Sequence, residues 1–193
     1  MNTTTAAPPR QVLLFSGHMV DAPDRARPRF PAAKVPAAAA AIGHALDTLG
    51  AGRGDLALTQ GAAGGDLLFV QACVERGVPV QLLLPLPEAE FIRRSILSVA
   101  DGPAWRQRWL ALRPRLGPAP QVLVAGDGAA AGSVFERCNE WLLASALAHG
   151  AGRLRFICLW DGGGGDGPGG TAHMVKEVTL RGGDVTWIDT RRL

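Results

Sequence analysis

Short apolar runs alternate along the chain with segments whose apolar residues recur every three or four positions. The runs are predicted strands and cover residues 11–15, 55–59, 78–84, 121–125, 154–160 and 184–189. The periodic segments are predicted helices and cover residues 34–49, 66–76, 88–99, 104–112, 133–149 and 171–182. This alternation is typical of βαβ units with parallel strands. We therefore expect an α/β fold, a single three-layer Rossmann-like domain over residues 10–193 with a mainly parallel sheet of about six strands, and a disordered tail over residues 1–9.

Glycine is concentrated in the loops that follow the predicted strands. If the strand order is 3-2-1-4-5-6, the order reverses between the first and fourth strands, and ligands bind beyond the carboxyl ends of the strands there. The loops that would meet at this edge cover residues 16–23, 59–66, 125–133 and 161–171, and all but the first are rich in glycine. The sequence therefore predicts a ligand site at this edge.

Charge and composition narrow the classes of partner. Of the 20 basic residues 18 are Arg, they are scattered among acids, the net charge is +3, and there is no Tyr. A nucleic-acid groove uses a concentrated basic stripe and aromatic platforms, so we do not expect nucleic acid as a partner. A small anion fits the charge equally well.

The sequence does not favour a membrane protein, a secreted protein or a metalloprotein. No apolar run approaches the length of a membrane span, and no early positive charge precedes an apolar segment, so we expect a cytoplasmic protein without membrane contact. The three Cys are widely spaced and the four His lack paired spacing, which favours reduced thiols and no metal site. No cofactor is predicted. The tryptophans on predicted helices are expected in the core or at an interface, which leaves a homo-oligomer open.

The most unusual stretch is WDGGGGDGPGGTAHMVKE, which runs from Trp160 to Glu177 and has seven glycines between Gly162 and Gly170. Backbone N–H groups without a neighbouring Cβ can approach a phosphate closely, and a helix that starts near Thr171 adds unpaired donors. Gly169, Gly170 and Thr171 are therefore predicted to bind an anion. The alternative is a surface excursion in which Thr171 only caps the helix, and the two are compatible.

Three motifs, LFSGHM, TQGAAGGD and LWDGGGGDGPGGT, together resemble the SLOG superfamily, which contains the DprA/SMF proteins and the lonely-guy (LOG) phosphoribohydrolases. The similarity covers Gln11 to Asp189. Its most specific part is Pro168-Gly169-Gly170-Thr171, which resembles the phosphate-binding pattern P-G-G-x-G-T-x-x-E of LOG enzymes. The resemblance implies a Rossmann-like domain that binds a nucleotide.

The chain departs from the LOG pattern at the residues that the resemblance makes catalytic. The x-G pair is missing, and Met174 occupies the position of the catalytic Glu. Glu177 lies six residues beyond Thr171, roughly 9 Å along a helix. Arg137 matches the first residue of an Arg-Lys pair of LOG-like enzymes, whereas Cys138 replaces the Lys. The broken motif favours binding over catalysis, and Arg137 is retained as a ligand-contacting candidate.

The remaining candidates each have a structural alternative. Ser16, Gly17 and His18 open from the first strand into the predicted crevice, where His18 either donates to a phosphate or fixes the loop. Asp66, after Gly61, Gly64 and Gly65, is either an N-cap or faces a ribose. Asp161 accepts from a ligand or caps the amides of the glycine loop. Asn139 is poorly suited to a helix interior, which predicts a polar partner in the crevice.

The segment between Gly17 and Pro36 has four prolines, three arginines (Arg25, Arg27 and Arg29) and no periodicity. Loops of this length in compact domains are usually functional or disordered. One interpretation is a lid whose arginines, Arg29 among them, close over an anionic ligand; the other is a disordered excursion.

These observations favour a SLOG-type protein that binds a nucleotide or nucleotide-derived ligand, as a sensor or signalling module. The alternative is a nucleoside 5'-monophosphate phosphoribohydrolase similar to LOG. DNA binding in the manner of DprA is a third and weaker hypothesis.

Overall fold

A computed structural model describes residues 7–124, 133–163 and 170–193. The strands are β1 (Val12–Gly17), β2 (Leu56–Thr59), β3 (Val80–Leu84), β4 (Gln121–Val122), β5 (Leu154–Trp160) and β6 (Asp184–Asp189). The helices are α1 (Val35–Thr48), α2 (Gly65–Glu75), α3 (Glu88–Ser95), α4 (Gly102–Leu112), α5 (Val134–Leu147) and α6 (Thr171–Leu180). The predicted alternation of strands and helices is confirmed. The first six residues of the predicted tail lie outside the described residues.

The strands form one parallel sheet in the order β4-β3-β2-β1-β5-β6. The predicted α/β class and Rossmann-like architecture are therefore confirmed. The sheet is buried on both faces because side chains of β1 alternate between two cores. Leu13 and Phe15 pack with α1, α2 and α4, and Val12 and Leu14 pack with α5 and α6. Three layers result.

The predicted strand order was wrong in one respect. β4 pairs with β3 at the far edge of the sheet, with Leu84 opposite Val122, and does not lie beside β1. Each strand from β2 to β4 is therefore added at the same edge of the sheet. The chain then crosses the other face of the sheet through α5 and reaches β5. β5 pairs with β1 on the side opposite β2, so the strand order reverses between β1 and β5.

The β1–β5 junction opens a crevice because the two strands lead to opposite faces of the sheet. The loop after β1 leads to α1 on one face, and the loop after β5 leads to α6 on the other. Their backbones are in register from Val12 opposite Leu154 to Gly17 opposite Leu159. The carboxyl ends of both strands, and the start of α6, therefore meet at one place.

Candidate functional site

A cavity of about 670 Å³ lies at this carboxyl edge. It is lined by residues of β1 and β5, of the loops that follow β1 and β2, of α5, of the starts of α2 and α6, and of the end of α3. The structure brings the following predicted site residues together in its wall: Ser16, Gly17, His18, Arg29, Asp66, Asn139, Gly170 and Thr171. A concavity therefore lies at the edge of the sheet where the sequence predicts a ligand, and ligand binding there stays a prediction.

Other predicted site residues do not line this cavity. These residues are Gly61, Gly64 and Gly65 of the β2–α2 loop, Arg137, which lies on α5 beside the lining residue Glu136, and Asp161, which contacts the lining residue His18. Gly169 lies outside the described residues. Their roles toward a ligand stay predictions.

Two glycines of the β2–α2 loop are explained by packing within the protein. Gly64 has φ +114°, and a Cβ there would lie 2.6 Å from the backbone nitrogen of Val20. Gly61 has φ +86°, and its Cβ would lie 2.8 Å from Trp109. Both positions require glycine because the loop passes against backbone and a buried ring in a left-handed conformation. Close approach of a ligand is not needed to explain them.

Asp66 is a buried carboxylate at the start of α2. It is not the N-cap, which is Gly64. Its Oδ2 accepts hydrogen bonds from the amide nitrogens of Gly61 at 3.1 Å and Ala62 at 3.2 Å, so it holds the loop that precedes its own helix. Burial raises the pKa of Asp66 to about 6, although these N–H donors oppose the rise. The group therefore titrates near neutrality in the wall of the cavity.

The start of α6 is tied to the end of β1. Ser16 Oγ lies 3.3 Å from Thr171 Oγ1. Gly170 is the N-cap and has no side chain to bond the first amides of α6, and Thr171 is the first helical residue and not the cap. The first turn of α6 therefore presents backbone N–H groups beside the cavity, where an anion is favoured.

His18 and Asp161 form a pair between the ends of β1 and β5. His18 Nε2 lies 3.1 Å from Asp161 Oδ1 and 3.2 Å from the Asp161 amide nitrogen. Burial lowers the pKa of His18, Arg29 and Arg25 lower it further, and the contact with Asp161 opposes them. The partial burial of Asp161, which by itself raises its pKa, is outweighed by the Gly163 amide and by His18, so this pKa is lowered.

Asp161 also has the capping role considered from the sequence. Its Oδ1 accepts a hydrogen bond from the Gly163 amide at 2.9 Å. The carboxylate therefore orients the first residues after β5 while it contacts His18.

The loop between β1 and α1 is ordered around Asp21, contrary to the disordered interpretation. The buried carboxylate of Asp21 accepts from the amides of Arg29 at 3.0 Å and Phe30 at 2.9 Å, and it pairs with Arg25 at 3.4 Å. Phe30 is fully buried. Arg25 and Arg29 line the cavity, whereas Arg27 does not. Closure of this loop over a ligand stays a prediction.

Several residues that line the cavity were not predicted from the sequence: Gln60, Arg94, Ser95, Ser98, Ser133, Phe135, Glu136 and Trp160. Arg94 comes from the last turn of α3, and its guanidinium lies 5.3 Å from the centroid of the Phe135 ring on α5. No local pattern marks Arg94, because α3 reaches this edge only through the packing of the fold.

Gln60 and Asn139 bridge two elements of the wall. Gln60 Nε2 donates to Asn139 Oδ1 at 2.7 Å, joining the end of β2 to α5. The polar partner predicted for Asn139 is therefore a side chain of the protein. Both residues line the cavity, so the bridge also provides a polar amide surface there.

The charged lining favours an anion. Arg25, Arg29 and Arg94 face the cavity, and the acidic residues among the described lining are Asp66 and Glu136. Glu136 is engaged in a capping box with Ser133 at the start of α5, and Asp66 is held by the loop amides. Arg25 is likewise paired with Asp21 and Arg94 with Glu90, so the preference for an anion rests on the excess of three guanidiniums over two carboxylates in the described lining.

The positions that matter for the LOG pattern do not reach the cavity. Met174 is buried in the core between the sheet, α5 and α6. Glu177 does not line the cavity and pairs with Arg181, which lowers the pKa of Glu177. Cys138 is buried against the sheet, where its Sγ lies 3.3 Å from the carbonyl oxygen of Leu83. Burial raises the pKa of this thiol to about 12.

The described residues contain neither a candidate membrane span nor a candidate metal site. None of their helices is both long and apolar enough to cross a membrane. No group of three or more His, Cys, Asp or Glu within them is arranged to hold a metal ion.

Comparisons with known proteins identify no family. No protein-family model and no curated protein matches the chain. Among solved structures, the Moco carrier protein from Chlamydomonas reinhardtii is similar, with 16% sequence identity over 94% of this chain and 91% of that chain and a TM-score of 0.35. This likeness is too weak to inform the site, so the arrangement of residues around the cavity is the basis for a functional hypothesis.

Proposed function

We propose that this chain is a SLOG-type Rossmann-like protein that binds a nucleotide or nucleotide-derived ligand in the cavity at the β1–β5 junction. It acts as a sensor or signalling module. The observation that carries the proposal is that three guanidiniums, those of Arg25, Arg29 and Arg94, line the same cavity as the uncapped start of α6.

The size and place of the cavity support a small ligand. Sites for small molecules typically have volumes of about 300–1,000 Å³, and this cavity has about 670 Å³. It also lies where the strand order reverses, the usual binding position in open α/β sheets.

The lining suggests a division of roles within the ligand. The phosphate would contact Arg25, Arg29 and the first amides of α6, because guanidinium forks and helix N-termini both favour phosphate oxygens. The uncharged parts of the ligand would contact the amides of Gln60 and Asn139 and the ring of Trp160, which line the same cavity. A nucleotide combines these two kinds of surface.

Catalysis is not part of the proposal. Glycosidic cleavage needs a carboxylate near the anomeric centre, and α6 offers the cavity none from positions 174 or 177.

A thermal-shift screen tests the proposal. The purified protein is heated with nucleoside mono-, di- and triphosphates, cyclic nucleotides and the matching nucleosides. A ligand at 100 times its Kd stabilises the folded state by about 2.7 kcal/mol, which raises the Tm of a chain of this size by roughly 5–10 °C. The proposal fails if no phosphorylated compound raises the Tm while calorimetry also detects no binding.

A further inference from the structure

The surroundings of His18 indicate the chemical form of the ligand, an inference that rests on the proposed function. His18 is 9% exposed, lines the cavity, and occupies the junction between the loop after β1 and the end of β5. Its backbone is fixed, since its amide donates to the Leu159 carbonyl at 2.9 Å and its carbonyl accepts from the Gly65 amide at 3.1 Å. The backbone of His18 is therefore fixed by β5 and α2, and the ring contacts Asp161.

The two contacts of Nε2 suit opposite protonation states. Nε2 without a proton accepts from the Asp161 amide at 3.2 Å, and Nε2 with a proton donates to Asp161 Oδ1 at 3.1 Å. Asp161 can therefore form a hydrogen bond with Nε2 in either protonation state of the ring. Within the described ranges no residue bonds to the other ring nitrogen, Nδ1, which is the one available to a ligand.

Burial is the largest cause of the lowered pKa of His18, and the neighbouring charges act on this pKa in both directions. Arg25 and Arg29, from the loop after β1, oppose a positive charge on His18, and Asp161 favours it. Asp66 lines the cavity from α2, and the residues that α6 contributes to the lining, Gly170 and Thr171, are uncharged. An anion bound to the two guanidiniums offsets their repulsion of an imidazolium.

We propose that the cavity binds the dianionic group of a phosphate monoester and that His18 takes up one proton from solvent as the group binds. The imidazolium then donates through Nε2 to Asp161 and through Nδ1 to a phosphate oxygen. Two negative charges are better matched by Arg25, Arg29 and a protonated His18 than the single charge of a diester. The site therefore selects monoesters, such as a nucleoside 5'-monophosphate, over cyclic phosphates.

The test is an NMR titration of the His18 ring in phosphate-free buffer. The probes are inorganic sulfate, which remains a dianion throughout the titration, and AMP. Chloride at matched ionic strength controls for screening, and the exposed His44 on α1 is an internal control. We expect either probe to raise the pKa of His18 by roughly one unit or more, as an opposite charge at close range does, and to leave His44 unchanged.

His18→Asn provides an independent arm, because Asn keeps a neutral donor near the Nδ1 position. Wild-type affinity for AMP should fall as pH rises from 7 to 9, by at most tenfold in total for each unit by which AMP raises the pKa of His18, while the affinity of His18→Asn should not change with pH. His44→Asn should behave as wild type. AMP should bind at least tenfold more tightly than cyclic AMP at pH 7.

The outcomes distinguish this inference from the proposed function. If AMP and sulfate shift the amide signals of Gly170 and Thr171 but not the pKa of His18, proton-linked selection is wrong and anion binding stands. If neither probe changes any cavity signal and the thermal-shift screen is also negative, the proposed function is wrong as well.

Discussion

Ser16 Oγ lies 3.3 Å from Thr171 Oγ1, so two hydroxyls 155 residues apart join the end of β1 to the first turn of α6. This contact places the N-terminus of α6 at the β1–β5 junction, beside Arg29 and His18 in the cavity wall. The predicted anion site therefore depends on a long-range contact between two segments that were expected from the sequence to meet at this edge.

Gly170→Val tests the start of α6. Gly170 has φ −69°, a conformation that any residue adopts, so the fold should be retained. The added side chain should keep a phosphate away from the amides, and we expect AMP affinity to fall at least tenfold by calorimetry. Gly117→Val, at a position with open space around it, is the matched control. Unchanged affinity in Gly170→Val would remove α6 from the site.

Arg29→Ala and Arg27→Ala separate a lining arginine from its neighbour. Arg29 lines the cavity and Arg27 does not. We expect Arg29→Ala to weaken AMP binding roughly tenfold, with a smaller loss at high salt because exposed charges are screened. Adenosine binding should be unaffected, and Arg27→Ala should match wild type. Equal losses in both variants would indicate a general effect of charge.

Asp21→Ala tests the order of the loop after β1. The substitution leaves the amides of Arg29 and Phe30 without their acceptor, beside a fully buried ring. We expect the free energy of unfolding to fall by about 2–4 kcal/mol in urea titrations. Asp24→Ala, at an exposed position in the same loop, should change it by less than about 0.5 kcal/mol. A loop that contributes nothing to stability would show no difference between these variants.

The raised pKa of Asp66 predicts how the stability of the protein changes with pH. Its pKa of about 6 lies above the value near 3.9 of an unfolded Asp, so the stability it contributes is complete below about pH 4 and is lost as pH rises through 6. Asp66→Asn lacks this titration. Between pH 4 and 7, the free energy of unfolding of the wild type, measured with urea, should fall by on the order of 3 kcal/mol relative to that of Asp66→Asn. A constant difference between the two proteins would show that Asp66 does not titrate there.

AMP should not be hydrolysed by the purified protein. Met174 is buried in the core and Glu177 is paired with Arg181 away from the cavity, so neither position supplies a catalytic carboxylate. Chromatography should detect no free adenine after prolonged incubation at high protein concentration. Adenine release that disappears in Glu177→Gln would instead support a phosphoribohydrolase.

The order and type of the elements were determined by the sequence alone. Leu154–Trp160 and Asp184–Asp189 have the bounds predicted from their apolar runs, because local periodicity records which faces of an element are buried. The same reasoning predicted that the loops after the strands meet at one edge of the sheet, since the carboxyl ends of parallel strands share that edge, and a ligand at this edge stays a prediction.

Only the tertiary structure decided how these elements pair and what their loop residues contact. β4 is two residues long, too short to carry a pairing preference, and its place beside β3 depends on the packing of the whole sheet. Gly61 and Gly64 resembled ligand-binding glycines, yet a buried ring and a neighbouring backbone account for them. Arg94 reaches the cavity through the packing of α3, which no local pattern records. Sequence periodicity reports burial along an element, whereas strand pairing and loop contacts arise between residues far apart in the chain.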